Sequence, residues 1–352
     1  MAIINSPRIR VYFADETVYK SIPETARKNI YLVSNLSKSV DRAVHVVVYF
    51  SVYKANPNGD LDSGGAPRYN IFDNKGFVTA DSSKRHVRDA VHMIYGLPMH
   101  VGHPSGVLLT ATVEAAREHC SVGDSGLRAL EDYMASENGV KVENIRKSKE
   151  DEGKKSVDYE GVVKANLSRY FDDRTFGRVF ASKMNLGIRG AVQYTTATSL
   201  HPIEVTSIAI TSDMVANEKE KISKSGRNVG RYQEVNFGLY HYEIFVNPFQ
   251  ARMTGFTWND LNLLLNGEAL KWELTKASRR SSVELEAGYI FISDSHLNVM
   301  RTNKAKKLTT PKDLSGLGPV DARKSMGDYE MVTREEIKAN LPPNLKLLLL
   351  DE

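Results

Sequence analysis

Residues 43–53 read AVHVVVYFSVY, and no other run narrows the possible folds so far. β-branched and aromatic side chains occupy both alternating positions, so either face of such a strand is apolar. A strand of this kind belongs in the middle of a sheet that is packed on both sides. Segments 190–198, 237–246 (FGLYHYEIFV) and 288–293 (GYIFIS) supply further strands of the same character.

Between the first two strands, NPNGDLDSGGAPRYN (56–70) packs Asn, Pro, Gly and Asp too densely for regular structure. A helix follows. Thr79 and Asp81 precede SSKRHVRDAVHMIYG, in which Val87, Ala90, Val91 and Ile94 recur at helical spacing until Gly96 stops them. Residues 257–273 form a second amphipathic helix. Strand, helix, strand, strand, helix, strand is the ferredoxin-like order, so the expected class is α+β.

Additions flank and interrupt this unit. Residues 1–42 read as an N-terminal extension and 295–352 as a C-terminal appendage. Residues 43–96 and 183–294 then form the sheet domain. Residues 97–182 read as a helical insertion, with apolar periodicity over 127–134 and 162–180 and a charged link at 146–155. Residues 200–234 run out through 205–211 and return past NEKEKISKSGRNVGRYQE, the pattern of a long hairpin with a basic tip.

The chain has 352 residues, 41% of them apolar, enough for a packed core. With 47 basic and 43 acidic residues the net charge is only +4, so any polyanion site must be a local cluster. The single cysteine, Cys120, rules out an internal disulfide and fits a reducing compartment, by default the cytoplasm. The longest apolar runs fall far short of the roughly 20 residues of a membrane helix, so no membrane partner is expected.

A polyanion chain needs cations and N–H donors spaced along a groove. Ser82, Lys84, Arg85 and Arg88 near the start of the first helix fit that need, and a solvated helix face is the plainer alternative. Arg174 and Arg178, one helical turn apart within the insertion, continue the series with Lys183 and Arg189. Arg174 has the alternative of pairing with Asp172 or Asp173. Gln193 has the donors and acceptor to read a 2′-hydroxyl or base edge. Lys224, Arg227 and Arg231 mark the hairpin tip. Lys54, Asn58 and Arg68 surround the glycine-rich loop, whose amides are expected to face the ligand. The cations together are expected to form one strip over an open sheet face and the projecting arm.

Enzyme and metal signals are weak. Asn58, Asp60 and Asp62 alternate as in a calcium loop, but Ser63 and Tyr69 stand where glycine and glutamate are required. Gly-Asp-Ser-Gly at 123–126 lacks assignable triad partners. His100, His103, His119 and Cys120 match no standard zinc spacing. No catalytic residue, metal or cofactor is expected.

NPNGDLDSGGAPR followed by VTADSSKRHVRD resembles the opening signature of type I-C and I-B Cascade backbone subunits of the RAMP superfamily. YFDDRTFGRVF, GIRGAVQYTTATSLHPI, and VNFGLYHYEIFVNP with GFTWNDLNLL are similar to later motifs of that family, in the same order across 43–294. The resemblance implies an RRM-like palm, a helical finger region over 97–182 and a hairpin thumb over 200–234. It also implies non-catalytic binding of guide crRNA by head-to-tail copies, with other Cascade subunits and with target DNA reached through base pairing. The alternative is a related ribonuclease subunit, which would cut target RNA with Asp60 or Asp62 as its loop aspartate.

Overall fold

The computed structural model describes residues 9–101, 167–180, 186–212, 228–297 and 302–350. After short elements in the N-terminal extension, its principal elements in chain order are β1 (Val44–Ala55), α1 (Ala80–Tyr95), α2 (Phe171–Phe176), β2 (Val192–Tyr194), β3 (Ala197–Ser199) and β4 (Val205–Ser212). There follow β5 (Asn228–Val246), α3 (Pro248–Thr254), α4 (Trp258–Leu274), β6 (Val283–Ser293) and β7 (Leu345–Leu349).

β1 is buried from Val44 through Val52, as its unbroken apolar run requires. β5 pairs with it antiparallel from Val235 opposite Ala55 to Val246 opposite Val44. β6 lies antiparallel on the other side of β1. β2, β3 and β4 form one interrupted strand along the far edge of β5. Counting β2 with β3 as the second strand, the sheet order is fourth, first, third, second, every neighbour antiparallel. The class is mixed α+β, as the sequence predicts.

α1 starts at Thr79, whose hydroxyl accepts the Ser82 amide, and stops at Gly96 with φ of 67°. α4 starts with a reciprocal capping box between Thr257 and Asp260. Both helices cover the same sheet face. Val87 and Val91 of α1 and Leu261, Leu264 and Trp272 of α4 pack against Val46, Val48 and Phe50 of β1. Burying one such leucine is worth about 1.5–3 kcal/mol. The layer also holds a fully buried ion pair. Lys271 Nζ lies 2.6 Å from Glu268 Oε1 and donates to Tyr242 Oη at 2.7 Å, while Tyr194 Oη donates to Glu268 Oε2 at 2.8 Å. Burial beside Glu268 pushes the Tyr194 phenol well above its ordinary pKa.

The opposite sheet face is not open, contrary to the expected strip. Val47, Tyr49, Leu239, Tyr289 and Phe291 are roofed by Ala305, Tyr329 and Ile337 of the C-terminal segment. That segment then enters the sheet, because β7 pairs with β6 from Ser293 opposite Leu345 to Tyr289 opposite Leu349. The reason was present in β1 itself, since a strand apolar at both parities demands cover on both faces.

The N-terminal extension is equally committed. Tyr12 and Phe13 are buried, and Asn262 Oδ1 on α4 accepts both their amides at 3.1 and 3.0 Å. Asn29 uses one amide twice on the edge of β7. Its Nδ2 donates to Leu349 O at 2.7 Å, and its Oδ1 accepts Leu349 N at 2.8 Å.

The helix expected over 162–180 ends early. Within the described residues α2 stops at Gly177, whose φ is 76°, and Gly177–Phe180 becomes a strand paired with Leu186–Arg189. Arg174 and Arg178 are therefore not one helical turn apart on a shared face. The geometry needs glycines at both contact points. A Cβ on Gly190 would stand 2.2 Å from Gly177 N, and one on Gly177 would stand 2.2 Å from Ile188 O.

Candidate nucleic-acid interface

Beyond Ala55, β5 continues without β1 and pairs only with β4, from Val205 opposite Val235 to Ser212 opposite Asn228. A two-stranded arm thus leaves the end of the sheet. Around its base gather the loop after β1, the start of α1 and the turn between α4 and β6. Asn56 N bonds Arg279 O at 2.7 Å, and Tyr53 N bonds Ser282 O at 3.0 Å, fastening that turn to β1.

The loop after β1 is a folded platform. Asn58 Oδ1 accepts Thr79 N at 3.0 Å, and Asn56 Nδ2 donates to Gly65 O at 2.7 Å. The amides of Ser63, Gly64 and Gly65 bond Asp60 O, Leu61 O and Asp60 O within the loop. These donors, expected to face a ligand, are used internally because the turn closes on itself. Asn58 is a brace between loop and helix.

The expected cations have divergent fates. Lys54 is exposed at a positive φ of 45°, its ammonium 5.3 Å from the centre of the Tyr53 ring. Arg231 is exposed on the arm opposite Ala209. Half-buried Ser82 lends its backbone amide to the Thr79 cap. Lys84 lies 3.8 Å from Asp81, Arg85 lies 2.9 Å from Asp89, and Arg68 lies 3.2 Å from Asp60. Arg88 points inward, with Nε donating to fully buried Asp172 at 3.1 Å and its guanidinium 4.6 Å from the Phe176 ring centre.

The second series sits at the other end of the sheet. Gln193 pairs with Phe245, which faces His45 near the start of β1. Lys54 is nine residues further along that strand, roughly 30 Å at about 3.4 Å per residue. Arg174 grips Asp260 through Nη2 at 2.9 Å and Nε at 3.2 Å, and donates to Leu167 O at 2.9 Å. It pairs with neither Asp172 nor Asp173. Asp172 is occupied by Arg88, while Asp173 Oδ2 bonds His100 Nδ1 at 2.7 Å. Burial lowers the Arg178 pKa against the opposing pull of Asp173 and Asp172. Arg189 is exposed, and the Gln193 amide donates to Gly190 O at 3.3 Å. Lys84, Arg85, Arg88 and Arg189 do not line one continuous strip. Lys183, Lys224 and Arg227 lie outside the described residues, as do Gly-Asp-Ser-Gly at 123–126, His103, His119 and Cys120.

Sequence reasoning missed the cations nearest the arm. The turn TKASRRSS carries Lys276 and Arg279, both exposed, and Arg280. Arg279 lies 5.3 Å from the centre of the Tyr232 ring across a cleft of about 210 Å³ that also touches Asn56, Gln233 and Ser278. Arg280 Nη1 lies 3.3 Å from His86 Nε2, and burial lowers its pKa against the pull of Asp89. The doubled arginine in a polar helix-to-strand turn was the available signal. With Lys54 and Arg231, Arg279 gives the arm exposed cations beside an aromatic ring, which suits phosphates and stacked bases.

Among the described residues no three His, Cys, Asp or Glu side chains converge to hold a metal ion. No helix among them is long and apolar enough to cross a membrane.

Residues 42–334 match the family model for CRISPR-associated protein Cas7. No curated protein matches. Among solved structures, the chain is similar to one from a "CRISPR RNA-guided surveillance complex, pre-nicking", at 16% identity and a TM-score of 0.48, over 73% of this chain and 80% of that one. It is also similar to a chain of a "CRISPR RNA-guided surveillance complex", at 14% identity and a TM-score of 0.40, over 75% and 80%.

Proposed function

The chain belongs to the Cas7 family of CRISPR-associated proteins, and from that premise we propose that it is a backbone subunit of a CRISPR RNA-guided surveillance complex. It holds guide crRNA by its phosphates irrespective of base order, beside other copies of itself and other Cascade subunits, and meets target DNA through base pairing. The four-strand order of the sheet supports a ferredoxin-like, RRM-like palm, with the arm as thumb and residues 97–182 as finger. The ordered motifs favour a type I-C or I-B system in the cytoplasm. The family match over residues 42–334 carries this conclusion.

Within it, the arm base is the favoured RNA contact. Lys54, Arg231, Lys276 and Arg279 stand in no ion pair among the described residues. The subunit holds its RNA without cutting it. The alternative, a ribonuclease subunit using Asp60 or Asp62, is tested by divalent-dependent cleavage of a complementary RNA that Asp60→Ala or Asp62→Ala abolishes; Asp60 lies 3.2 Å from Arg68.

Reversing Lys54, Arg231 and Arg279 together to glutamate is expected to strip co-purifying RNA from the folded protein. The salt dependence of binding to single-stranded RNA should flatten by about 0.7 log units per lost phosphate contact, equally for RNAs of different sequence. Unchanged RNA content and salt slope would reject the arm base as the site.

A further inference from the structure

The turn between α4 and β6 lies almost wholly outside the protein. Lys276, Ala277, Ser278 and Arg279 are exposed, and only Arg280 among residues 276–280 is half-buried. Backbone bonds tie the turn to itself and to the chain just after β1. Arg280 N bonds Ala277 O at 2.7 Å, and Asn56 N bonds Arg279 O at 2.7 Å. Neither bond reaches α1, so a tie to that helix must come from a side chain.

Arg280 supplies it. Its Nη1 donates to Nε2 of His86 on α1 at 3.3 Å, joining residues 194 apart in sequence. His86 is buried, and its ring lies 5.0 Å from the Trp272 ring near the end of α4. Burial and the nearby cations Arg280, Lys271 and Arg85 push the His86 pKa down to about 3, so the ring is neutral at physiological pH. A neutral ring that accepts through Nε2 carries its hydrogen on Nδ1. Asp89, three residues further along α1, is bonded at both oxygens by Arg85 Nε, at 3.0 and 2.9 Å.

The two neighbouring arginines thus reach in different directions. Arg280 reaches α1, whereas the Arg279 guanidinium lies 5.3 Å from the centre of the Tyr232 ring on the arm. An exposed arginine on a loosely held turn has to be ordered when its ligand arrives, and one on a tethered turn is ordered beforehand.

We propose that Arg280 is a positioning residue for RNA binding: by bonding His86 it holds the turn so that Arg279 stays over Tyr232 and meets a phosphate there. This deepens the reading of the arm base as the RNA contact, and rests on it.

The test measures binding of the full-length chain to a single-stranded RNA over a range of salt concentrations. Arg279→Ala should flatten the salt slope by about 0.7 log units, the share of one phosphate contact. Arg280→Met keeps the aliphatic stem but loses the donors, and should flatten the slope by a like amount. His86→Leu should do the same although it removes no cation at neutral pH, and His86→Gln, whose side-chain carbonyl accepts a hydrogen bond, should restore the parental slope. In the Arg279→Ala background, Arg280→Met should change nothing further. A second fall in that double variant would make Arg280 a phosphate contact in its own right and overturn the proposal, as would parental slopes in Arg280→Met and His86→Leu. Thermal melts identify a variant that fails to fold, and the other then decides. If Arg279→Ala alone keeps the parental slope, the arm-base reading fails and takes the proposal with it; if Arg279→Ala flattens the slope and the other two do not, only the proposal fails.

Discussion

Arg85 and Arg88 stand three residues apart on one helix and live in different electrostatic worlds. The Arg85 side chain is 45% exposed and its partner Asp89 lies on the same helix, one turn on. Arg88 is 11% exposed, and its partner Asp172 is fully buried and 84 residues distant. The contrast extends to the whole molecule. Arg88, Arg174 and Lys271 hold the interior together, whereas Lys54, Arg231 and Arg279 lie exposed around the arm, in no ion pair among the described residues. Positive charge in a sequence is therefore two kinds of material, and only the fold sorts it.

The sharpest way to break this comparison is to remove one interior cation. Arg88→Ala strands Asp172 without its guanidinium, so the unfolding free energy should fall by about 3–5 kcal/mol in denaturant titrations. A loss under 1 kcal/mol would move Arg88 to the surface class.

A smaller effect is expected at the boundary between the two classes, where His86 meets Arg280. Burial, with the nearby Arg280, Lys271 and Arg85, pushes the His86 pKa down to about 3, and burial with Lys306 pushes His241 down to about 4. Both are neutral when folded and bind protons more readily when unfolded, where their pKa is about 6.5. Their stabilisation is complete above about 6.5 and is lost as pH falls towards the folded values. Each should cost up to about 1.4 kcal/mol per pH unit in that window. His86→Gln should flatten the acid limb of a stability-against-pH curve, and an unaltered limb would show that His86 is not buried neutral.

The smallest effect belongs to the surface. Arg85→Ala is expected to change stability by less than about 0.5 kcal/mol. A loss comparable with that of Arg88→Ala would erase the distinction.

Much of the architecture was legible because its signals are local. β1 announces itself by being apolar at both parities, α1 by the Thr79 cap and Gly96 stop, and the arm by two strand-like runs around a polar tip. The end of α2 was not legible, because RVF after Gly177 continues an apolar spacing that a helix could also use. Only the glycine's positive φ, set by its contact with Gly190, turns the chain into a strand. The candidate site was less legible still. SKRHVRD places three cations within five residues, and nothing local tells which one will meet a carboxylate far along the chain. Arg279 and Arg280 escaped notice although their turn is plainly basic, because what brings them to the arm is the hydrogen bonding of Asn56 and Tyr53.

The doubled bond from Asn29 to Leu349 has a wider consequence. A side-chain amide that satisfies both the donor and the acceptor of an outermost strand imitates one more rung of the ladder and then stops. Another chain cannot extend the sheet sideways at that point. The outer edge of β7 is thus closed at one rung by a side chain belonging to the same molecule, a cap built from the start of the chain onto its end.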